Sequence, residues 1–228
     1  EHPDTISSIN NLANCMQEQG HFLIAEPMYR QALELRQRVL GLEHSKTINS
    51  MNNLANCIKT QGHYSVAEPM YLEALELSQR VLGLENPGCI TSINNLAVCI
   101  ESMGRYSVAE PMYRQALELR QHILGQEHPD TITSINNLAD CIKEQGQHSI
   151  AEPMFRQALE LCTHVLGLEH PVAISCLNNL ADCVKAQGLY STAEPMYHQA
   201  LELSQRVLGL EHPDTIVAIN NLAVCIEA

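Results

Sequence analysis

The sequence predicts an all-α solenoid made of five helix-turn-helix repeats of 42 residues and one extra helix. The tetrapeptide Asn-Asn-Leu-Ala begins at residue 10 and recurs every 42 residues, up to residue 220. Each period holds two glycine-bounded segments whose apolar residues follow helical spacing. One such hairpin cannot bury both of its apolar faces, so neighbouring repeats must stack.

The repeats leave no room for a linker or a second domain. We therefore expect one solenoid domain over residues 1–228, with repeats at 1–42, 43–84, 85–126, 127–168 and 169–210 and a partial repeat at 211–228. The chain opens on Glu1 with neither a start methionine nor a signal-peptide pattern, and we expect it to be a piece of a longer protein.

The first helix of each repeat, helix A, is expected to begin at the motif His2-Pro3-Asp4 and to end at Gly20. Proline suits the first position of a helix, and aspartate suits the positive end of the helix dipole. The histidine recurs once per repeat, and successive copies lie too far apart to share a metal ion. We expect these histidines to cap helix A or to contact the neighbouring repeat.

The second helix, helix B, contains a serine followed three residues later by glutamate in four of the five repeats, as at Ser65 and Glu68. This spacing predicts a capping box at the start of the helix. The proline that follows, Pro69 in this repeat, is then expected in the first turn, where it disrupts few backbone hydrogen bonds.

Composition limits the classes of partner and compartment. The net charge is -13, which argues against nucleic acid or an anionic membrane as partner, since both attract basic surfaces. No apolar run is long enough to span a membrane. Six of the nine cysteines lie at one fixed spacing and none forms a CxxC motif. We therefore expect packing cysteines with free thiols and a reducing, cytoplasmic compartment.

The residues Leu12-Ala13, Gly20, Phe22, Ala25, Tyr29 and Ala32 follow the spacing of a known repeat signature. The chain resembles the tetratricopeptide repeat family, and its 42-residue period resembles the kinesin light chain type. Similar arrays form the sensor part of NLR-like nucleotide-switch receptors. The resemblance implies a right-handed superhelix whose A helices line a concave groove for extended peptides.

Helical spacing places one polar stripe on helix A, opposite its apolar face. One register of this stripe is asparagine in every repeat, whereas neighbouring registers vary. An exposed asparagine is a poor helix former, but its amide can both donate to and accept from a peptide backbone. We predict peptide binding at the constant positions Asn11, Asn53, Asn95, Asn137 and Asn179, and at the variable positions Asn14, Asn56, Asp140, Asp182, Asn49, Thr91 and Thr133.

Two features of this stripe leave alternatives open. Variation there is also expected from drift at exposed positions of recent duplicates, as in the helix B register of Arg36, Ser78, Arg120, Cys162 and Ser204. The adjacent asparagines, Asn10 and its copies, lie at the flank of helix A, where we expect hydrogen bonds to the neighbouring repeat.

Acidic residues outnumber the lysines of the stripe, which favours a neutral or basic peptide.

The chain contains no phosphate-binding, nucleophile-elbow or zinc-helix motif. We therefore expect no catalysis, no cofactor and no metal site. The leading hypothesis is a protein-interaction scaffold that binds an extended peptide. The alternative is a ligand-sensing or self-associating repeat domain of a larger NLR-like ATPase, and a third hypothesis is a structural spacer.

The last helix has no helix B after it. We expect Ile219, Leu222, Ala223 and Ile226 to expose an apolar stripe and to allow end-to-end self-association.

Overall fold

The structure, a computed structural model, describes residues 3–227. Within this range the chain forms eleven helices and no strand, in agreement with the predicted all-α fold. The A helices are α1 (Pro3–Glu18), α3 (Ser45–Thr60), α5 (Pro87–Ser102), α7 (Pro129–Glu144), α9 (Pro171–Ala186) and α11 (Pro213–Ile226). The B helices are α2 (Phe22–Leu40), α4 (Tyr64–Leu82), α6 (Tyr106–Leu124), α8 (His148–Leu166) and α10 (Tyr190–Leu208).

The chain divides into two compact units between Leu119 and Arg120, inside α6. In unit 1, each helix from α1 to α5 packs against the next, and the A helices α3 and α5 also touch. In unit 2, each helix from α7 to α11 packs against the next, and α9 touches both α7 and α11. Packing of consecutive helix pairs identifies the all-α solenoid that the period predicts. The single-domain arrangement stays a prediction.

Most A helices begin at a side-chain cap. The Nδ1 atom of His44 accepts a hydrogen bond from the backbone N–H of Lys46 at 3.1 Å, and His128 caps Asp130 at the same distance. His170 and His212 cap α9 and α11 in the same way, and Asn86 does so for α5. These bonds satisfy N–H groups that no helical carbonyl reaches. The expected capping role is confirmed for the four described histidines, and the corresponding prediction for His2 lies outside the described residues.

The B helices begin differently, and the predicted capping box is wrong. α4 begins at Tyr64, one residue before Ser65, so the serine is already helical and cannot serve as the N-cap. The residue in the N-cap position, His63, makes no side-chain capping bond. The chain enters the helix through Gly62, whose φ of +81° favours glycine. Pro69 therefore lies beyond the first turn, inside the helix.

The core of each hairpin forms where helix A meets helix B. The alanine register of helix B and its aromatic register are buried in every repeat: Ala25, Ala67, Ala109, Ala151, Ala193, Tyr29, Tyr71, Tyr113, Phe155 and Tyr197. Small alanines allow the two helices to approach closely, and the aromatic rings fill the space between them. Burying one such ring stabilises the fold by roughly 1.5–3 kcal/mol.

All nine cysteines are free in the structure. Those of the helix A register from Cys57 to Cys225 are buried, whereas Cys15 is exposed. The Sγ atom of Cys99 lies 4.0 Å from the carbonyl oxygen of Tyr64, at the start of the preceding helix B. The Sγ atoms of Cys183 and Cys225 contact the carbonyl oxygens of His148 and Tyr190 in the same way, so these cysteines face a neighbouring helix B.

The predicted exposure of the helix B register that contains Arg36, and of the apolar stripe on the last helix, is wrong in part. Arg36 and Arg120 are each 8% exposed, and the other members of their helix B register are also buried. Leu222 is 7% exposed, because α11 packs against both α9 and α10, whereas Ile219 and Ile226 are exposed as expected.

Candidate functional site

Four of the predicted binding residues meet at one cavity in unit 1. Asn49 and Asn53 of α3, and Thr91 and Asn95 of α5, line a cavity of about 410 Å³. Asn52, Pro87 and Gly88 complete its lining. The cavity lies between equivalent surfaces of two successive A helices, and its lining side chains carry no charge.

Two residues that are not among the predicted binding residues account for the cavity's position. Pro87 and Gly88 belong to the first turn of α5, which contributes backbone to the wall of the cavity. Other repeats carry a larger residue in the register of Gly88, such as Asp130 or Asp214. A Cβ atom at Gly88 would lie 3.1 Å from Oδ1 of Asn86, the cap of the helix. Gly88 is the one glycine in this register, and this difference from the other repeats is the sequence feature that could have indicated the cavity.

A smaller cavity occupies the same registers in unit 2. Its volume is about 170 Å³, and it is lined by Ser175, Asn178, Asn179, Asp214 and Val217. Only Asn179 of these residues belongs to the predicted set. The aspartate at the first turn of α11 gives this cavity a negative charge that the unit 1 cavity lacks.

The constant asparagines also hold neighbouring repeats together. Nδ2 of Asn53 donates to Oδ1 of Asn10 at 3.2 Å, and Asn179 donates to Asn136 at the same distance. The expected inter-repeat bond of the Asn10 register is therefore confirmed for Asn10 and Asn136. Its partners, however, are the asparagines predicted to face a peptide, so that register has a structural role as well.

The constant asparagines, which begin at Asn11, do not form the same hydrogen bonds in every repeat. Among the described residues, Asn53 and Asn179 form only the bond through Nδ2, which leaves their carbonyl oxygens available to a donor. The side chains of Asn11 and Asn95 have no hydrogen bond in the described part of the chain; Asn11 is exposed and Asn95 half-buried. Asn137 is half-buried in unit 2.

In repeats 1 and 5, the variable register that begins at Asn14 bridges the two helices of a repeat. Oδ1 of Asn14 accepts a hydrogen bond from the hydroxyl of Tyr29 at 2.6 Å, and Asp182 accepts one from Tyr197. Burial raises the pKa of Tyr29 from its ordinary value of 10 to about 12, so its hydroxyl remains a donor into the alkaline range. In repeat 4 the aromatic residue is Phe155, which has no hydroxyl to offer.

Lysines compensate part of the negative charge in unit 2. Nζ of Lys143 lies 2.6 Å from Asp140 and 3.2 Å from Glu144, and Nζ of Lys185 lies 3.3 Å from Asp182. The two carboxylates raise the pKa of Lys143 despite its burial, which acts in the opposite direction. Lys143, Glu144, Asp182 and Lys185 line a third cavity, of about 470 Å³.

The remaining predicted positions are spread along the same registers. Asn56 and Thr133 are half-buried, on α3 and α7 respectively. The hydroxyl of Thr133 donates to the carbonyl of Pro129 at 3.0 Å, and Thr91 bonds Pro87 in the same way at 2.9 Å. Each hydroxyl retains acceptor capacity for a ligand.

The described residues contain no cluster of three or more potential metal ligands. None of the described helices combines the length and the apolar character needed to cross a bilayer. The site thus consists of amides, hydroxyls and partly compensated carboxylates on the A helices.

Comparison with known families gives matches along almost the whole chain. The model of the tetratricopeptide repeat matches residues 4–80, 52–122, 88–164, 130–202 and 173–227. No curated protein matches the sequence.

Solved structures with a similar fold include two arrays of the kinesin light chain type. A putative kinesin light chain of Podosopora anserina with nearly identical TPR-like repeats has a TM-score of 0.73 and 23% identity, over 90% of this chain and 98% of the other. BtubC (BKLC) from P. vanneervenii has a TM-score of 0.75 and 26% identity, over 92% and 84% of the two chains. A Rap protein in complex with Competence and Sporulation Factor has a TM-score of 0.64 and 14% identity, over 100% and 65%.

Proposed function

The chain belongs to the tetratricopeptide repeat family and is a protein-interaction scaffold, and on that premise we propose that it binds an extended peptide segment of its partner along the A helices. The observation that carries the proposal is the convergence of Asn49, Asn53, Thr91 and Asn95 on one cavity in unit 1. Two of these residues belong to the constant asparagine register, and the other two to a register that varies between repeats.

The chemistry of this cavity suits a peptide backbone. An extended chain presents N–H donors and C=O acceptors, and an asparagine side chain can pair with both. Oδ1 of Asn53 and the whole amide of Asn95 make no hydrogen bond within the described residues, so both are available to a ligand. The amide of Asn11, which has no hydrogen bond in the described part of the chain, supports the same role in repeat 1, and Oδ1 of Asn179 does so in unit 2. Asn137 is assigned to the site by its register alone.

Charge supports a preference for neutral or basic peptides. The unit 1 cavity has no charged lining residue. In unit 2, Lys143 and Lys185 are paired with Asp140, Glu144 and Asp182, which leaves one carboxylate in excess. The variable positions Asn14, Asn56, Asp140, Asp182, Asn49, Thr91 and Thr133 are the ones we assign to sequence selection.

A peptide array probed with the isolated chain tests the proposal. Peptides that bind are then measured by fluorescence anisotropy against the wild type, Asn95→Ala and Thr91→Ala. Loss of one hydrogen bond costs roughly 0.5–1.5 kcal/mol, which corresponds to a two- to twelvefold weaker affinity. The matched control is Gln115→Ala, an exposed polar residue of helix B in the same unit.

The outcomes separate the parts of the proposal. Binding that weakens in Asn95→Ala and Thr91→Ala, but not in Gln115→Ala, supports the cavity as the site. Uniform failure of a diverse array to bind contradicts peptide recognition and favours a structural spacer. Selective binding of acidic peptides contradicts the charge preference alone.

A further inference from the structure

Three of the nine cysteines lie outside the once-per-repeat register: Cys89, Cys162 and Cys176. Two of them, Cys162 on α8 and Cys176 on α9, occupy registers that face each other across the junction between repeats 4 and 5. Both side chains are fully buried. Both thiols are free.

The same pair of registers is in contact at three other junctions. Nη1 of Arg36 lies 2.6 Å from Oγ of Ser50, and Nη1 of Arg120 lies 2.7 Å from Oγ of Ser134. At the junction of repeats 2 and 3 the two residues are serines, Ser78 and Ser92, and their hydroxyl oxygens are 3.2 Å apart. Cysteine and serine differ only in the terminal atom, so the serine pair is a direct template for Cys162 and Cys176.

We propose that Cys162 and Cys176 form an oxidisable dithiol, which a small disulfide such as oxidised glutathione converts into an intramolecular disulfide joining α8 to α9. The Cβ atoms of a disulfide lie about 3.5–4.5 Å apart. The 3.2 Å contact between the hydroxyl oxygens of Ser78 and Ser92 shows that short side chains in these two registers reach each other. The bond locks helix B of repeat 4 to helix A of repeat 5.

Burial of the two thiols makes formation of the disulfide slow. Burial raises the pKa of Cys176 to about 12, and the neighbouring Cys162 adds to the effect. Only the thiolate attacks a disulfide, and the raised pKa keeps the buried thiol protonated, so the closed junction reacts slowly. Local opening of α8 from α9 exposes the pair, and reclosure brings the two sulfur atoms together again.

The exchange is balanced in two steps. One cysteine thiolate attacks a sulfur of oxidised glutathione, the S–S bond breaks, and one glutathione leaves as thiolate and takes up a proton. The second cysteine thiolate then attacks the mixed disulfide at the protein sulfur and releases the second glutathione. The two cysteines lose two hydrogen atoms, and one glutathione disulfide is reduced to two thiols.

The test incubates the folded chain with oxidised glutathione and follows intact mass under non-reducing conditions. A Cys15→Ser background removes the exposed thiol, which would otherwise form a glutathione adduct or an intermolecular bridge. We expect a mass loss of two hydrogen atoms and a higher melting temperature, both reversed by dithiothreitol. Cleavage after Glu169 separates the two cysteines, so the linked fragments stay together until the bond is reduced.

Matched variants identify the pair. Cys162→Ser and Cys176→Ser carry the residue that other repeats have in these registers, and both should lose the oxidised species. Cys89→Ser and Cys183→Ser should retain it. The proposal is overturned if the folded chain gives no such species while the unfolded chain does, if Cys183→Ser abolishes it, or if oxidation lowers the melting temperature.

Discussion

Asn53 donates its side-chain amide to Oδ1 of Asn10, 43 positions earlier in the chain, at a distance of 3.2 Å. Asn179 and Asn136 repeat this pair in unit 2. At these two junctions an asparagine of the Asn10 register accepts a hydrogen bond from an asparagine of the constant register in the following repeat. The pair joins α1 to α3, and its copy joins α7 to α9, so it ties successive A helices together at these junctions.

A double-mutant cycle on this pair tests the relationship. Asn10→Ala and Asn53→Ala each remove the same hydrogen bond, so each should destabilise the chain by about 1 kcal/mol, and the double variant should cost little more than either alone. Urea denaturation monitored by circular dichroism provides the measurement. Asn95→Ala is the control and should hold or raise stability, because alanine is the better helix former. Strict additivity of the two single effects would contradict the pairing.

The histidine cap of helix A gives a second prediction. His128→Ala removes the acceptor for the N–H of Asp130 and should cost about 1 kcal/mol, whereas His128→Asn should retain most of the stability because Asn86 fills the same position naturally. Gln147→Ala is the matched control, since the N-cap of α8 makes no side-chain capping bond. Equal melting temperatures for His128→Ala and the wild type would show that the cap contributes nothing.

The buried arginine of α6 gives a third prediction. Nη1 of Arg120 donates to Oγ of Ser134 at 2.7 Å and to the carbonyl of Asp130 at 3.1 Å. Arg120→Ala leaves these acceptors without their donor, so we expect a loss of roughly 2–3 kcal/mol in urea denaturation. Arg120→Ser should lose less, since it recreates the serine pair seen at Ser78.

An exposed ion pair in the same helix provides the control for this experiment. Arg114 pairs with Glu110 one turn away, and its side chain is largely in solvent. Arg114→Ala should change stability by no more than about 0.5 kcal/mol. A larger loss for Arg114→Ala than for Arg120→Ala would refute the importance of the buried junction.

These residues also mark what the sequence can and cannot predict. The 42-residue period predicts every helix, and the position of proline after His128 predicts the start of helix A, because both depend on local chemistry. The burial of Arg120 could not be predicted, since a register that also holds serine and cysteine resembles an exposed one. Its guanidinium finds acceptors only in the next repeat, which no local pattern reveals. For the same reason, the sequence predicts a bond from Asn10 to the neighbouring repeat but does not identify Asn53 as the partner.

The buried tyrosines predict alkaline instability. Burial raises the pKa of Tyr29 from an ordinary value of 10 to about 12, and it shifts the pKa of Tyr71 and Tyr197 upward as well. A group whose pKa is higher in the folded state stabilises the fold fully below its unfolded pKa, and that contribution disappears as pH rises through the folded value. Stability from Tyr29 is therefore intact below about pH 10 and is lost between there and about pH 12. Buried thiols act in the same direction, since burial also raises the pKa of Cys57 and Cys99.

An alkaline titration that records tyrosinate absorbance at about 295 nm together with helical circular dichroism checks this prediction. Ionisation of the buried tyrosines should coincide with loss of helix, because a tyrosinate cannot remain in the apolar interior. Tyr71→Phe is the informative variant: its hydroxyl has no hydrogen bond within the described residues, and Phe155 already fills this register in repeat 4. It should leave the melting temperature at neutral pH nearly unchanged and move the alkaline midpoint to higher pH. Complete tyrosine ionisation with the helical signal intact would contradict the burial of these hydroxyls as the cause.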